Sequence, residues 1–350
     1  NKYTINDLAT VVGGGTPDTT VKSYWGGDIQ WFTPSEIGKN KYVDFSKRTI
    51  TRDGLDNSSA KLLPLHTILL SSRATVGECS IASNECTTNQ GFQSLIAKQC
   101  NIDFLYYLIQ TKKKDLIRNA CGSTFLEISA NEIRKIKVAV PVQNEQEQIA
   151  KLLSLIDERI ATQNKIIEKL QSLIKGLAAQ LTQSGTPNIR LCDCLECHSS
   201  TLQENCVSVT GSYPVYGATG LIGYTNNYAY NGESILIVKD GSGVGSLSYV
   251  NDHFSVIGTL NYLTAKENYS ILYLYYALMA FNFTPYITGM AIPHIYFKDY
   301  GKAKLFYPSI EKRIRIASLL HNIEQKLVVE QNLVISLSAQ KSYLLRMLFI

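Results

Sequence analysis

The feature that most constrains this chain is an internal repeat that spans nearly half of its length. The stretch PVQNEQEQIAKLLSLID begins at residue 141, and PSIEKRIRIASLLHNIE begins at residue 308. The repeat aligns Pro141 with Pro308, Ile149 with Ile316, Ala150 with Ala317, Leu152–Leu153 with Leu319–Leu320, and Ile156–Asp157 with Ile323–Glu324. A repeat of this size predicts that the two halves fold on one common plan.

The similarity continues upstream of both stretches, with shifts of one or two residues. TILLSSRATVGECSIAS lies over SILIVKDGSGVGSLSYV, LYYLI over LYYAL, and IRKIKVAVP over YGKAKLFYP. A chain of 350 residues with 45% apolar residues can bury two cores. We therefore predict a first globule over 1–140, a helix over 141–185, a second globule over 186–307 and a second helix over 308–350.

The two tails have the pattern of long helices. Each begins just after a proline, where a helix can start, and apolar residues then recur at spacings of three and four, as in a coiled-coil seam. The predicted seam consists of Ile160, Gln163, Ile167, Leu170, Ile174, Leu177 and Leu181 in the first tail, and Leu327, Glu330, Val334, Leu337, Lys341, Leu344 and Leu348 in the second. A helix of about 40 residues is ~60 Å long, so we interpret each tail as a spacer.

We expect the two tails to pack antiparallel, because each follows its globule and a compact pseudo-two-fold body requires opposite directions. Gln163 and Glu330 are polar breaks at the middle of their tails, and the repeat aligns one with the other. A polar pair in an apolar seam costs stability but can fix register. The alternatives are a direct hydrogen bond between the two side chains, or two side chains at the solvent edge of a loosely packed seam.

The globules have the composition of α+β structure. GDIQWF, TILLSS, ECSIA and SILIVKD are short strand-like runs broken by turn residues. NIDFLYYLIQTKKKDLIRNA and YSILYLYYALMAF each predict one helix, and the lysines at 112–114 form either a solvated face or a phosphate contact. The predicted fold class is α+β, with two pseudo-symmetric α/β globules alternating with two long helices that pack as an antiparallel coiled coil.

Catalytic motifs are missing from the sequence. It has no N-P-P-Y element, no F-x-G-x-G loop and no Ser-His-Asp pattern among its five histidines. The glycine-rich GGGTP and DGSGVG lack GK[ST] and the full G-x-G-x-x-G spacing, so they favour tight strand connections over phosphate cradles. The longest apolar run, LYLYYALMAF, has ten residues, and no leader precedes the first globule, so we expect a soluble intracellular protein.

The eight cysteines do not form a disulfide framework, so we expect reduced thiols. Cys192, Cys194, Cys197 and His198 are a permitted zinc ligand set, but they lie within seven residues with no second pair elsewhere. The favoured interpretation is a set of small, half-buried residues that bind no metal.

The charge is unevenly distributed. Residues 1–140 contain 17 basic and 13 acidic residues, whereas 186–307 contain 6 basic and 8 acidic residues and 15 of the 21 tyrosines. A net negative charge is unfavourable for a DNA-binding globule, since affinity depends on phosphate neutralisation. Tyrosine, serine and threonine can nevertheless bond to phosphates and base edges without adding charge.

The repeated plan resembles the specificity (S) subunit of type I restriction–modification systems, in which two target-recognition domains alternate with two near-repeated helices. The resemblance is carried by P-x6–7-I-x2-LL-x2-I[DE]-x2-[IL] in both tails and by the helix ends KGLAAQL and KSYLLRML. YWGGDIQWFTPSEI, YPVYGATGLIGYTNNYAYNGESILIVKDG and GSTFLEISANEIRKIKVAVP are similar to recognition-domain segments of that family. The sequence departs from the family by starting almost directly on the first globule and by placing Lys341 at a seam position.

This resemblance implies a non-catalytic subunit that reads a bipartite double-stranded DNA target, one half-site per globule, with the helices setting the spacing. Two methyltransferase (M) subunits and the restriction/translocase (R) subunits would dock on it. S-adenosylmethionine, ATP and Mg²⁺ would bind only to those partners, and this chain would hold no cofactor or metal. The implied location is cytoplasmic, away from any membrane.

Two other functions fit the same sequence. The chain could be a coiled-coil scaffold whose globules bind proteins, or the specificity chain of a fused restriction-methylase. A neighbouring gene with an N-P-P-F motif would favour the type I system.

We expect the DNA contacts to come from exposed basic, hydroxyl and aromatic residues in glycine-flanked loops. The candidates in the first globule are Thr16, Lys22, Ser35, Lys39, Lys41, Arg52, Arg73, Ser123 and Thr124. The candidates in the second globule are Ser212, Tyr213, Tyr216, Thr219, Lys239, Ser242, His294 and Lys298.

Overall fold

The computed structural model describes residues 2–122 and 126–349. The chain divides into two compact units, which are Asn1–Thr162 with Val334–Ile350 (unit 1) and Gln163–Leu333 (unit 2). Each unit therefore contains one globule and a part of each long helix. Among the described residues, no helix is long and apolar enough to cross a membrane.

The described part of unit 1 contains ten strands, five short α-helices, the first half of one long helix and the end of the other. Its strands are β1 (Lys2–Thr4), β2 (Ala9–Gly13), β3 (Trp25–Phe32), β4 (Tyr42–Val43), β5 (Arg48–Ile50), β6 (Ile68–Leu70), β7 (Cys79–Ala82), β8 (Cys86–Thr88), β9 (Gln93–Ala97) and β10 (Lys137–Ala139). Its helices are α1 (Ile5–Leu8), α2 (Arg52–Asp56), α3 (Ile102–Thr111), α4 (Lys113–Arg118), α5 (Ala130–Lys135) and the start of α6 (Gln143–Thr182). The strands form sheets of order β2-β9-β6-β7-β4, β5-β3-β8 and β1-β10.

Unit 2 repeats this plan with longer strands. Its strands are β11 (Ile189–Arg190), β12 (Leu195–Ser199), β13 (Tyr213–Gly217), β14 (Gly220–Thr225), β15 (Tyr230–Val238), β16 (Leu247–Val256), β17 (Leu260–Ala265) and β18 (Lys304–Leu305). Its helices are the second half of α6, α7 (Leu191–Cys194), α8 (Ile271–Met279), α9 (Phe297–Tyr300) and most of α10 (Ile310–Leu348). The sheets have the order β12-β17-β15-β16-β13-β14 and β11-β18.

The main sheets of the two units share one topology. β2-β9-β6-β7-β4 matches β12-β17-β15-β16-β13 strand for strand, and the last pair is parallel in both units. Unit 1 then adds the separate β5-β3-β8 sheet, whereas unit 2 extends its main sheet by β14. The predicted α+β class, with two sheet-rich globules and two long helices, is confirmed.

One helix packs on each main sheet and forms the centre of its core. The side chain of Asn101 accepts a hydrogen bond from the Phe104 amide at the start of α3, and Ser270 caps α8 through the Tyr273 amide. These caps satisfy amides that have no partner inside the helix. α3 buries Phe104 through Ile109, and burial of each large apolar side chain contributes about 2 kcal/mol.

The helix predicted over 101–120 is in fact two helices, so that prediction was wrong. α3 ends at Lys112, whose backbone (φ −89°, ψ 5°) also begins α4. The ammonium of Lys113 forms an ion pair with Glu78, and Leu116 is fully buried. The break therefore turns Leu116 into the core while one lysine of the run is held by a carboxylate.

The long helices α6 and α10 pack antiparallel, as predicted. In unit 1, Ile149 and Leu153, near the start of α6, lie in one apolar cluster with Leu344 and Phe349 at the end of the chain. In unit 2, residues near the end of α6 cluster with Leu320, near the start of α10. Start meets end in both units, which only antiparallel helices allow.

The seam positions proposed from the sequence are buried or half-buried along both helices, and most of the intervening residues are exposed. Gln163 is 1% exposed and Glu330 is 7% exposed. The Gln163 side-chain amide donates a hydrogen bond to the Glu330 carboxylate, which also forms an ion pair with Lys326. Lys341, the cation in the seam, lies 2.6 Å from the Asp157 carboxylate, so its charge is compensated.

Candidate nucleic-acid interface

Each globule has a bridged pair of residues that is joined to the end of a central strand, and in unit 2 this pair closes a small hairpin. In unit 2, Thr288 and His294 exchange backbone hydrogen bonds of 2.9 and 2.8 Å, and His294 also bridges to Asp240, just after β15. In unit 1, their repeat counterparts Cys121 and Glu127 exchange two bonds of 2.9 Å, and Glu127 bridges to Arg73. Polar loops held by a rigid sheet are where binding residues are commonly found.

The two glycine-rich loops, at 13–17 and 240–245, are tight connections. The Gly241 amide donates to the Pro293 carbonyl at 2.9 Å, and the Gly15 amide donates to the Thr88 carbonyl at 2.8 Å. A Cβ atom on Gly14 would lie 2.0 Å from a backbone oxygen. Backbone carbonyls occupy these two amides and the chain passes closely by, as is typical of tight strand connections.

The candidate residues of unit 1 lie mostly at the surface. Lys22, Ser35, Lys39, Arg52 and Arg73 are exposed, and Thr16 is half-buried with its hydroxyl bonded to Gln90. Arg52 forms an ion pair with Asp56 at 3.2 Å, and Arg73 forms one with Glu127 at 2.8 Å. Ser123 and Thr124 lie outside the described residues.

Lys41 is not at the surface. Its ammonium lies 2.6 Å from the Asp103 carboxylate and 2.7 Å from the Ser154 hydroxyl, and its side chain is only 11% exposed. It also lies 4.7 Å from the centre of the Tyr107 ring. Since these groups fully occupy the ammonium, we remove Lys41 from the proposed DNA contacts.

The candidates of unit 2 fall into two groups. Ser212, Tyr213, Tyr216 and Thr219 lie on or beside the β13–β14 hairpin, whereas Lys239, Ser242, His294 and Lys298 surround the end of β15. The second group is drawn together by the bond from the Ile295 amide to the Lys239 carbonyl and by the bridge at His294. Burial raises the pKa of Tyr216, so its hydroxyl remains a hydrogen-bond donor at neutral pH.

The sequence reasoning overlooked the tip of the hairpin that Thr288 and His294 close. Met290 is fully exposed and Ile292 is 65% exposed, next to Gly289, whose φ is 89°. Tyr296, which is 48% exposed, lies 5.1 Å from the Lys298 ammonium. The apolar residues between Gly289 and Pro293 have the sequence pattern of a buried segment. The bridge at His294 is the feature that shows them to form a projecting tip.

The cysteine-rich segment 192–198 lies in α7 and β12, near the start of the globule of unit 2, and packs against neighbouring residues. The side chain of His198 bonds to Thr264 at 2.9 Å and stacks on Tyr262 at 4.8 Å. Burial raises the pKa of Cys194 to about 12 and that of Cys197 to about 11, so both are protonated thiols at neutral pH. No group of metal-binding side chains with suitable geometry occurs in residues 2–122 or 126–349. Across the same ranges, all eight cysteines are free thiols.

Comparison with known families gives a match to one described as "Type I restriction modification DNA specificity domain", over residues 1–172 and 189–337. The two matched segments follow the two halves of the internal repeat. They cover most of the chain, including both globules and much of both long helices.

Individual relatives of the chain are named as specificity subunits of type I restriction enzymes. Over 177 residues, the chain is 40% identical to the type I restriction enzyme MjaIX specificity subunit of Methanocaldococcus jannaschii, covering 47% of this chain but 40% of that protein. It is 25% identical over 346 residues to the EcoprrI specificity subunit of Escherichia coli, covering 89% and 84% of the two proteins. The S subunit structure from M. genitalium superposes with a TM-score of 0.68 at 19% identity, covering 100% of this chain and 96% of that one, which shows a shared fold.

Proposed function

The chain belongs to the type I restriction–modification DNA specificity family, and on that premise we propose that it reads a bipartite DNA sequence, one half-site per globule. The observation that supports this most directly is the repeated sheet end. Each unit presents a strand end and a bridged pair of residues in the same topological place, but with different side chains. A common scaffold with different loops suits two half-sites of unlike sequence.

The two globules would bind their half-sites with different chemistry. In unit 1, Arg73, Lys22 and Lys39 supply positive charge for phosphate contacts. In unit 2, Tyr213, Tyr216, Ser242 and His294 supply hydrogen-bonding groups, and Met290 would meet the DNA as an apolar tip. Phosphate contacts set position and affinity, whereas contacts to base edges discriminate sequence.

The repeated helices are the proposed docking surface for two copies of a methyltransferase subunit, with restriction/translocase subunits added to the assembled complex. Two equivalent helices present equivalent surfaces, so identical partners can bind to both. The buried Gln163–Glu330 bond would fix the register of the helices and hence the spacing between half-sites. S-adenosylmethionine, ATP and Mg²⁺ belong to those partners in this scheme, which operates in the cytoplasm.

The test begins with methylation-sensitive long-read sequencing of the source genome, which identifies any bipartite adenine motif. The assembled complex is then titrated with duplexes that carry both half-sites, one half-site scrambled, or a spacer changed by one base pair. We expect scrambling either half-site to weaken binding roughly 100-fold, because several base contacts are lost together. Equal affinity for all duplexes would contradict DNA reading and would favour a protein-binding scaffold.

A further inference from the structure

Unit 2 contains an open pocket of about 500 Å³ between strands β15 and β16, helix α8 and helix α10. Its lining includes the carboxylates of Glu233 and Glu324, together with Tyr249, Leu272 and His321. The Nδ1 atom of His321 is buried and has no hydrogen-bond partner among the described residues. The pocket thus combines two acids with an unsatisfied ring nitrogen.

Both carboxylates are held by neutral donors. The Tyr275 and Tyr276 hydroxyls donate to the two oxygens of Glu324 at 2.9 and 2.7 Å, and the Tyr249 hydroxyl donates to Glu233. Burial and the adjacent Glu324 raise the pKa of both Tyr275 and Tyr276, so these groups stay protonated. In the part of the chain that the structure describes, neither glutamate forms an ion pair. The pocket therefore presents two oriented and uncompensated negative charges.

The repeat provides the same site in unit 1, where it is filled with cations. LYYLI aligned over LYYAL matches Tyr107 with Tyr276, and the alignment of the long helices matches Asp157 with Glu324. The Tyr107 hydroxyl donates to Asp157 at 2.7 Å, and the Lys341 ammonium lies 2.6 Å from the same carboxylate. Lys41 adds a second ammonium, 3.3 Å from the Tyr107 hydroxyl.

Unit 2 lacks both cations for identifiable reasons. The repeat counterpart of Lys341 in the first long helix is Ile174. Lys41 lies just before β4, which pairs with β7 at Ile81, whereas the matching parallel pairing of β13 with β16 lies at Ser255, farther along the strand. Within the described residues, β15 alone pairs with β16 near Tyr249, so no strand of unit 2 carries a lysine into the place of Lys41.

The residues around the two places also correspond. Asp103 and Ser154 bind the Lys41 ammonium in unit 1, and their repeat counterparts, Leu272 and His321, line the pocket of unit 2. The pocket thus lies at the place of Lys41 without its ammonium. Leu272 replaces the acid that binds Lys41, and the acids of the pocket are Glu233 and Glu324, the counterpart of Asp157.

We propose that this pocket binds a lysine or arginine side chain of the methyltransferase subunit, in the position that Lys41 fills in unit 1. The inference rests on the proposed function, which supplies that partner. Charge complementarity selects the occupant, because two carboxylates attract a cation and repel DNA phosphates. An arginine or lysine also has donors for the two carboxylates.

The test compares the full chain with Glu233→Gln and Glu324→Gln, singly and together, in titrations with the purified methyltransferase subunit. The control is Glu267→Gln, which removes an exposed carboxylate of unit 2 outside the pocket. We expect the double variant to bind at least about 10-fold more weakly, because charge pairs at interfaces are worth about 1.5 kcal/mol or more. Glu233→Gln keeps the test valid if Glu324→Gln fails to fold, since Glu233 is exposed.

The outcomes separate the two proposals. If the wild-type chain does not bind the methyltransferase subunit, the proposed function and this pocket both fail. If the wild type binds and the double variant matches the Glu267→Gln control, only the pocket inference is contradicted.

A crosslinking experiment identifies the occupant directly. A photoreactive benzoylphenylalanine replaces Gln325, which is exposed at the rim of the pocket. We expect the assembled complex to give a crosslinked peptide of the methyltransferase subunit that contains a lysine or arginine. Crosslinks to DNA, to a second copy of this chain or to a partner segment without a basic residue would overturn the proposal.

Discussion

The two globules share a sheet but differ in what they attach to it. Unit 1 adds a separate sheet in which the Arg48 guanidinium lies 3.6 Å from the centre of the Trp25 ring. Unit 2 adds β14 to its main sheet, and beside it Tyr213 of β13 packs 4.9 Å from Tyr228 and 5.6 Å from His253. The shared strands bury the core, and the added elements carry the different surfaces. A duplicated scaffold can therefore keep its topology while its binding chemistry diverges.

The acidic sites of the two units differ in the same way. Asp157 receives the ammonium of Lys341, whereas Glu324 receives two tyrosine hydroxyls and, among the described residues, no ion pair. A lysine of unit 1 thus neutralises the carboxylate of unit 1, whereas a cation of the proposed partner would neutralise that of unit 2. Both copies of the repeat keep the tyrosine pair and the acid, and only one of them keeps the cations.

The most disruptive test of the shared scaffold uses the matched leucines of the two long helices. The repeat aligns Leu153 with Leu320, and both are 0% exposed. We expect Leu153→Ala and Leu320→Ala each to lower the free energy of unfolding by ~3 kcal/mol, because each leaves a cavity in an apolar cluster. Urea denaturation followed by circular dichroism measures both. Values that differ by more than about 2 kcal/mol would show that the two scaffolds are not equivalent.

A smaller loss of stability is expected when Lys341, one of the two cations at the acidic site of unit 1, is replaced. Lys341→Met leaves the Asp157 carboxylate with tyrosine as its neutral donor, as in unit 2. The side chains of Lys341 and Asp157 are 20% and 23% exposed, so we expect a loss of ~2 kcal/mol rather than the full cost of a buried unpaired charge. Lys22→Met is the matched control, since Lys22 is exposed and makes no ion pair in the described part of the chain. An equal effect of both changes on the urea midpoint would show that the pair contributes nothing.

We expect the Gln163–Glu330 pair to lower the stability of the helix seam while fixing the register of the two long helices. Replacement of both Gln163 and Glu330 by leucine should raise the free energy of unfolding by ~1 kcal/mol, because an apolar pair replaces a buried polar one. Gln163→Leu alone should lower it, since the buried Glu330 carboxylate loses a donor. Thermal unfolding measures both changes, and titration with duplexes of altered spacer length measures register. A double variant with unchanged spacer preference would remove the proposed role of this bond.

The smallest effects concern the chemical difference between the DNA-binding surfaces. Arg73→Ala and Lys239→Ala should each lower the slope of log affinity against log salt by ~1, because one phosphate contact is lost. Tyr213→Phe should weaken binding by ~1 kcal/mol without changing that slope. Lys175→Ala, an exposed lysine on α6, serves as the charge control. Unchanged slopes for Arg73→Ala and Lys239→Ala would exclude these two residues from the interface.

Helical and repeat patterns carried most of the sequence-based prediction. The internal repeat indicated the two-fold plan, and the seam spacing indicated the helix faces on which Gln163 and Glu330 meet. Such patterns are legible because the positions of side chains along a helix or strand follow from local geometry alone. The locations of β3, β6, β7 and β15 were predictable for the same reason.

Contacts between distant segments were decided by the tertiary structure. Lys41 had the sequence context of an exposed loop lysine, yet the pairing of β4 with β7 carries it to Ser154, far along the chain. The helix breaks at Lys112, and Leu116 then packs into the core. The local sequence does not show this packing, because it depends on residues elsewhere in the chain. The pocket of unit 2 exists because β13 pairs with β16 beyond Tyr249 rather than beside it. Strand register depends on the energies of whole packed faces, so it is fixed only when distant segments meet.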